Sequence, residues 1–165
     1  MSQMTTPADL FVHELQDVYF AERTLTKVLP KLADEVNDEE LTEAFRHHLD
    51  ETRQHVANLE QVFAGLGVSA RGAKCPGIEG ITEEHDMFMQ ENDPSDEVRD
   101  MFVTGAAART EHYEIAAYTG LVGMARSLGD RNAQELLEEN LKQEKKALEK
   151  VESISTRLLK ETAKA

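Results

Sequence analysis

Apolar residues recur every three or four positions through four long stretches of this chain, and each stretch carries a glutamate near its middle: Glu22, Glu51, Glu114 and Glu144. That spacing is the period of one helical face, so the chain must hide four amphipathic helices against one another. A carboxylate on a hidden face is costly unless something pairs with it. Four of them at one level of a bundle, with His55 one turn from Glu51, form a ligand set suited to a pair of metal ions.

The boundaries follow from local signals. Thr6 before Pro7 supplies an N-cap and a first-turn proline. Phe11, Leu15, Val18, Glu22, Leu25, Leu29 and Leu32 then mark a helix over about 7–36, closed by an Asn37-Asp38 turn. The second helix, about 39–66, carries Leu41, Phe45, His48, Glu51 or Thr52, His55, Leu59 and Val62, and ends at Gly65 and Gly67. Residues 67–95 lose the pattern around Lys74-Cys75-Pro76-Gly77 and regain it briefly over Ile78–Gln90. Such a segment is too long for a hairpin and suits a crossover joining two parallel helices. The third long helix is expected at about 96–128, capped by Ser95 and ended by Gly129-Asp130. The fourth is expected at about 131–162, with supporting Glu138–Lys142 and Lys145–Glu149 pairs and fraying last residues. Gly120 and Gly123 are read as allowing close helix packing, and Met87 and Met89 as core contacts of the crossover. Strand signals are nearly absent, so the expectation is all-α, a single domain over 1–165 built as an antiparallel four-helix bundle.

The register can be checked by counting. Glu22 lies about fifteen residues before Asn37, while Glu51 and His55 lie about thirteen and seventeen after Asp38. Glu114 is about fifteen residues before Gly129, and Glu144 about fourteen after Asp130. At roughly 1.5 Å of rise per residue, the offsets stay within side-chain reach. The halves read as a degenerate duplication in which Glu22 matches Glu114, Glu51 matches Glu144 and His55 matches Leu148. Leu148 offers no donor, so one metal is expected to be held more weakly unless Glu111 or His112 completes its shell. His47 and His48 are read as surface or edge residues, and Tyr19, Tyr113 and Tyr118 chiefly as packing groups.

Composition excludes several classes. The net charge of −14 disfavours sequence-independent nucleic acid binding and anionic membrane surfaces, which need clustered Lys or Arg. No stretch reaches the roughly 20 apolar residues of a membrane span, and the MSQMTTPADLF start has no basic region followed by an apolar one. The single Cys75 rules out an intramolecular disulfide and is read as a buried small residue. A cytoplasmic protein is expected. Neither a Ser-His-Asp order nor a phosphate-cradling glycine loop is present.

The strings ELQDVYFAE, HLDETRQHVANLEQVF, KCPGIEGITEE and EHYEIAAY, in this order, closely resemble the YciE/YciF family of ferritin-like stress proteins. The resemblance covers about Leu10 to Val151. It implies a ferritin-like bundle, a di-metal carboxylate centre and homodimers, and places the metal ligands at Glu22, Glu51, His55, Glu114 and Glu144, with Glu111 as a further one. In the family, Leu148 is usually an acid, and Glu is common where Gln143 stands.

Hard carboxylate oxygens stabilise both Fe(II) and Fe(III), and an imidazole adds affinity for iron or manganese. The expectation is therefore two iron ions, with manganese as the other candidate. The expected activity is oxidation of Fe(II) by oxygen or peroxide, with peroxide removal under stress as its consequence. A manganese catalase-like enzyme and a non-catalytic helical stress or interaction protein, its metal structural or absent, are the alternatives.

Overall fold

The computed structural model describes residues 4–163, and among these there is no strand. The first three residues and the last two, where fraying is expected, lie outside the described residues. Five helices follow in order: α1 (Pro7–Glu35), α2 (Glu39–Gly65), α3 (Pro76–Asn92), α4 (Asp96–Leu128) and α5 (Arg131–Thr162). Among the described residues no helix is long and apolar enough to cross a membrane.

Each long helix starts where the sequence supplies a cap. Thr6 and Asp9 form a reciprocal capping box: the Thr6 hydroxyl accepts from the Asp9 amide at 3.2 Å, and the Thr6 amide donates to Asp9 Oδ2 at 2.9 Å. Asp38 accepts from the Leu41 amide, and Asp130 from the Ala133 amide, both at 2.9 Å. Ser95 holds the N-cap position of α4, but its side chain makes no capping bond. Gly129, at φ 75°, takes the left-handed conformation that closes α4 and reverses the chain.

The short turns make α1–α2 and α4–α5 antiparallel hairpins. α1 packs on α2 and α4, and α5 packs on α2 and α4, so the four long helices close a ring. One end of the ring is clasped by charge. The buried Asp100 carboxylate of α4 accepts from the Asn37 and Asp38 amides at 3.0 and 2.9 Å, and Arg157 of α5 meets both oxygens of Asp38 at 2.7 Å. This fixes the vertical register of one hairpin against the other.

α3 lies against α4, where Phe88 stacks on Phe102 with ring centroids 3.7 Å apart. Its N-terminus is anchored by a half-buried knot in which Tyr113 donates to Asp17 at 2.8 Å and Cys75 Sγ lies 2.9 Å from the Tyr113 hydroxyl. Cys75 is fully buried.

Several local expectations change. Met87 is exposed, whereas Met89 does pack on the core. Gly120 and Gly123 face open space, so they permit no close approach. Among the described residues the Glu138–Lys142 and Lys145–Glu149 pairs do not form. Glu138 turns to Arg126 and Gln134 instead, because the hairpin partner offers a donor within reach.

The buried apolar side chains fall into two clusters. One takes Leu25 and Leu29 from α1, Leu41 and Phe45 from α2, Val103 from α4 and Ile154 from α5. The other takes Phe11 and Leu15, Leu59 and Phe63, Tyr118 and Leu121, and Leu137 from the same helices. Along each of the four long helices the segment between the clusters carries buried polar residues: Glu22, then Thr52, His55 and Asn58, then Glu111 and Glu114, then Asn140 and Glu144.

Candidate metal centre

The polar layer contains two groups of potential ligand atoms. Glu22, His55 and Glu144 form one, and His48, Glu111, Glu114 and Glu144 form the other, with ligand atoms within 4.8 Å of one another in each. Glu144 belongs to both. All six residues are buried, and Glu22, His55 and Glu144 are fully so.

Each imidazole has one nitrogen committed outward and one facing carboxylates. His55 Nε2 lies 2.7 Å from Gln143 Oε1, while its Nδ1 is 3.2 Å from Glu22 and 2.9 Å from Glu144. His48 Nδ1 is 3.4 Å from Glu51, and its Nε2 is 3.4 Å from Glu111 and 3.6 Å from Glu144. The inward contacts are close but fail hydrogen-bond geometry. His48 Nε2, His55 Nδ1, Glu22 Oε2, Glu111 Oε2 and both oxygens of Glu114 and Glu144 are buried without a hydrogen-bond partner. Buried polar atoms are normally satisfied, and such a concentration of orphans is suited to holding an ion. An outward bond that orients the ring is also what metal-ligating histidines show.

A second polar string supports the layer. Gln54 donates to Asn58, Asn58 donates to Asn140 at 2.7 Å, and Asn140 donates to the Tyr118 hydroxyl at 3.1 Å. Tyr118 donates in turn to Glu22. Its ring also sits edge-on to His55. Tyr118 therefore orients a candidate ligand besides packing.

The electrostatics are those of crowded acids. Burial, with the charges of Glu144 and Glu22, holds the Glu114 carboxyl well above the usual range. Burial does the same to Glu111, His48 opposing it, and Glu144 is raised by burial against the pull of His55. Burial works against charge on His55, but Glu22 and Glu144 outweigh it and push the imidazole up to about 11. His48 is likewise raised, Glu111 and Glu51 prevailing over burial.

Of the residues singled out in the sequence, Glu22, His55, Glu114, Glu144 and Glu111 lie in the two groups. Glu51 lies outside both, at the rim, where its side chain is 17% exposed and faces His47 and His48. His112 is exposed and takes no part. Leu148 is half-buried, and the second imidazole comes from His48 rather than from its position. The reading of His48 as an edge residue is therefore corrected: it is 6% exposed. Its place on the α2 stripe, one turn before Glu51 or Thr52, was the available signal.

The sequence profile of a domain family of unknown function, DUF892, matches residues 6–164. The chain belongs to this family. It is 40% identical over 143 residues to protein YciF of Escherichia coli strain K12, which spans 86% of each chain. The crystal structure of the E. coli stress protein YciF is similar over 95% of this chain and 99% of that one, at 37% identity and a TM-score of 0.90. YcfI of Rhodopseudomonas palustris, described as a putative structural protein, is similar over 91% and 95%, at 36% identity and a TM-score of 0.88. The YciF-type resemblance seen in the sequence is thus shown at the level of family and of fold. This DUF892 chain is all-helical, and its His and Glu groups are suited to holding metal.

Proposed function

We propose that this protein is a ferritin-like four-helix bundle with a di-metal carboxylate centre, two irons by preference, that oxidises Fe(II) with oxygen or peroxide, the reaction with peroxide removing it under stress. The observation that supports it most is charge arithmetic in the buried layer. Four buried carboxylates, Glu22, Glu111, Glu114 and Glu144, face two imidazoles. If every acid ionised, even two imidazolium ions would leave the layer short of positive charge, whereas about two divalent ions balance it with the imidazoles neutral.

Glu22 and His55 would hold one ion, and His48, Glu111 and Glu114 the other, with Glu144 within reach of both. Iron in such a carboxylate-rich site supplies reversible one-electron redox chemistry, with a donor set hard enough for both oxidation states. Gln143 orients His55 and Glu51 orients His48, and Tyr118 steadies Glu22. The apolar clusters close the layer at its two ends.

The competing reading is a structural metal, in line with a relative described as a putative structural protein. Metal analysis of protein purified from its own host, followed by anaerobic Fe(II) titration and admission of air or peroxide, separates the two. A redox centre gives oxidant-dependent optical changes and repeated turnover. A structural metal raises the melting temperature without turnover. Host protein carrying only manganese and disproportionating peroxide would replace the iron reading with a catalase-like one. The proposed cytoplasmic homodimer is checked by fractionation and light scattering.

A further inference from the structure

We propose that the cleft between α1, α2, α3 and α4 is a binding pocket for one small, compact, largely apolar molecule carrying a single polar group, such as a phenol-sized aromatic. The cleft encloses about 110 Å³ and reaches the buried layer from the side covered by α3. This is of the same order as cavities that admit a benzene-sized guest. Leu25, Leu29, Phe45, Ile81, Ala106 and Ala107 make its walls.

Its buried polar atoms without partners lie in two places, and the other charged side chains that line it, Lys31 and Asp86, are exposed. The hydroxyls of Thr82 and Thr110 are spent on the carbonyls of Ile78 and Ala106. At the inner end, His48 Nε2 and Glu111 Oε2 are buried and lack hydrogen-bond partners. At the rim, Glu35 and His85 stand 3.2 Å apart, and the two facing atoms are buried and equally unpartnered. A molecule with an apolar body and one hydrogen-bonding end matches this distribution, because apolar walls reward burial of a ring while an unsatisfied polar end would be costly.

Ions need not use this cleft. A second opening of about 420 Å³, lined by Glu40, Glu43, His47 and Glu51 with Lys146 and Lys150, reaches His48 and Glu111 from the other side. That mouth is charged and suits cations. The apolar cleft is thereby left for a partner in the chemistry of the centre. That the molecule is a substrate of the metal centre rests on the function proposed above, whereas its binding to the metal-free protein does not.

The test uses the full-length protein, with and without iron, titrated with 4-fluorophenol and fluorobenzene and followed by fluorine NMR. We expect saturable binding of about one probe per chain, weakened about tenfold in Ala107→Leu and in Ile81→Trp, which fill the pocket from opposite walls. Ile81 is only half-buried on α3, so its variant decides the matter if Ala107→Leu fails to fold. Absence of saturable binding, or parental affinity in folded Ile81→Trp, overturns the proposal. Iron content of the same samples keeps the readings apart: iron without probe sinks the pocket alone, and probe without iron sinks the metal centre alone.

Discussion

Glu144 is the one side chain common to both ligand groups, and this makes it the most informative residue to change. Glu144→Ala should reduce bound iron from about two ions per chain to nearly none, while Glu22→Ala should leave about one. Both variants should stay folded without metal, since the apolar clusters on either side of the layer are untouched. Elemental analysis with circular dichroism checks this; equal iron loss in the two would refute a shared role for Glu144. Glu51 differs. Its carboxylate reaches His48 rather than the inner cluster, so Glu51→Gln should keep the stoichiometry and weaken metal affinity by about 10–100-fold, the usual effect of losing a group that orients a ligand. A calorimetric titration showing a lost site would instead make Glu51 a ligand.

At the level of elements, α3 depends on a tight approach at its first turn. A Cβ at Gly77 would lie 2.6 Å from the Tyr113 ring, and that ring cannot swing away because Asp17 and Cys75 hold its hydroxyl. Gly77→Ala should therefore destabilise the protein by about 1–3 kcal/mol through overpacking, lowering the urea midpoint. The loss should be largely suppressed in Gly77→Ala/Tyr113→Leu, which shortens the obstructing side chain. An unaltered midpoint in the single variant would mean that α3 re-seats freely, and the knot would then not be what positions the crossover.

For the molecule as a whole, the buried layer sets the pH response. In the metal-stripped chain Glu111, Glu114 and Glu144 are raised from an ordinary 4.5, and His55 is raised from 6.5 to about 11. A group whose pKa rises on folding binds its proton more tightly when folded, so its contribution is complete below the unfolded value and is lost as pH climbs towards the folded one. Stripped protein should thus lose thermal stability as pH rises, through the acids from about 4.5 upward and through His55 from about 6.5 towards 11. Metal replaces those protons, so loading should release protons and flatten or reverse the slope. At about one hundred times the dissociation constant, an ion should add about 2.7 kcal/mol. A stripped protein more stable at pH 9 than at pH 6 would contradict the sign.

How much of this was legible without a structure depends on what each feature needs. Helix existence is a local matter: Thr6 with Pro7, Asp38 and Gly129 act on backbone groups within a turn, so the sequence alone determines four long helices and two tight reversals. Depth is also legible, because rise per residue is constant and carboxylates at matched distances from two turns must lie level; Glu22, Glu114 and Glu144 could be picked on that ground. Rotation about the helix axis is another matter. His47, His48, Glu51 and His55 share one stretch of α2, and only the packing of α2 against α1 and α5 turns His48 inward and leaves Glu51 at the rim. Nor could counting residues reveal that the orphaned atoms of His48 and Glu111 meet an apolar cleft roofed by α3. That juxtaposition joins segments distant in sequence and is decided by how the crossover lies on α4.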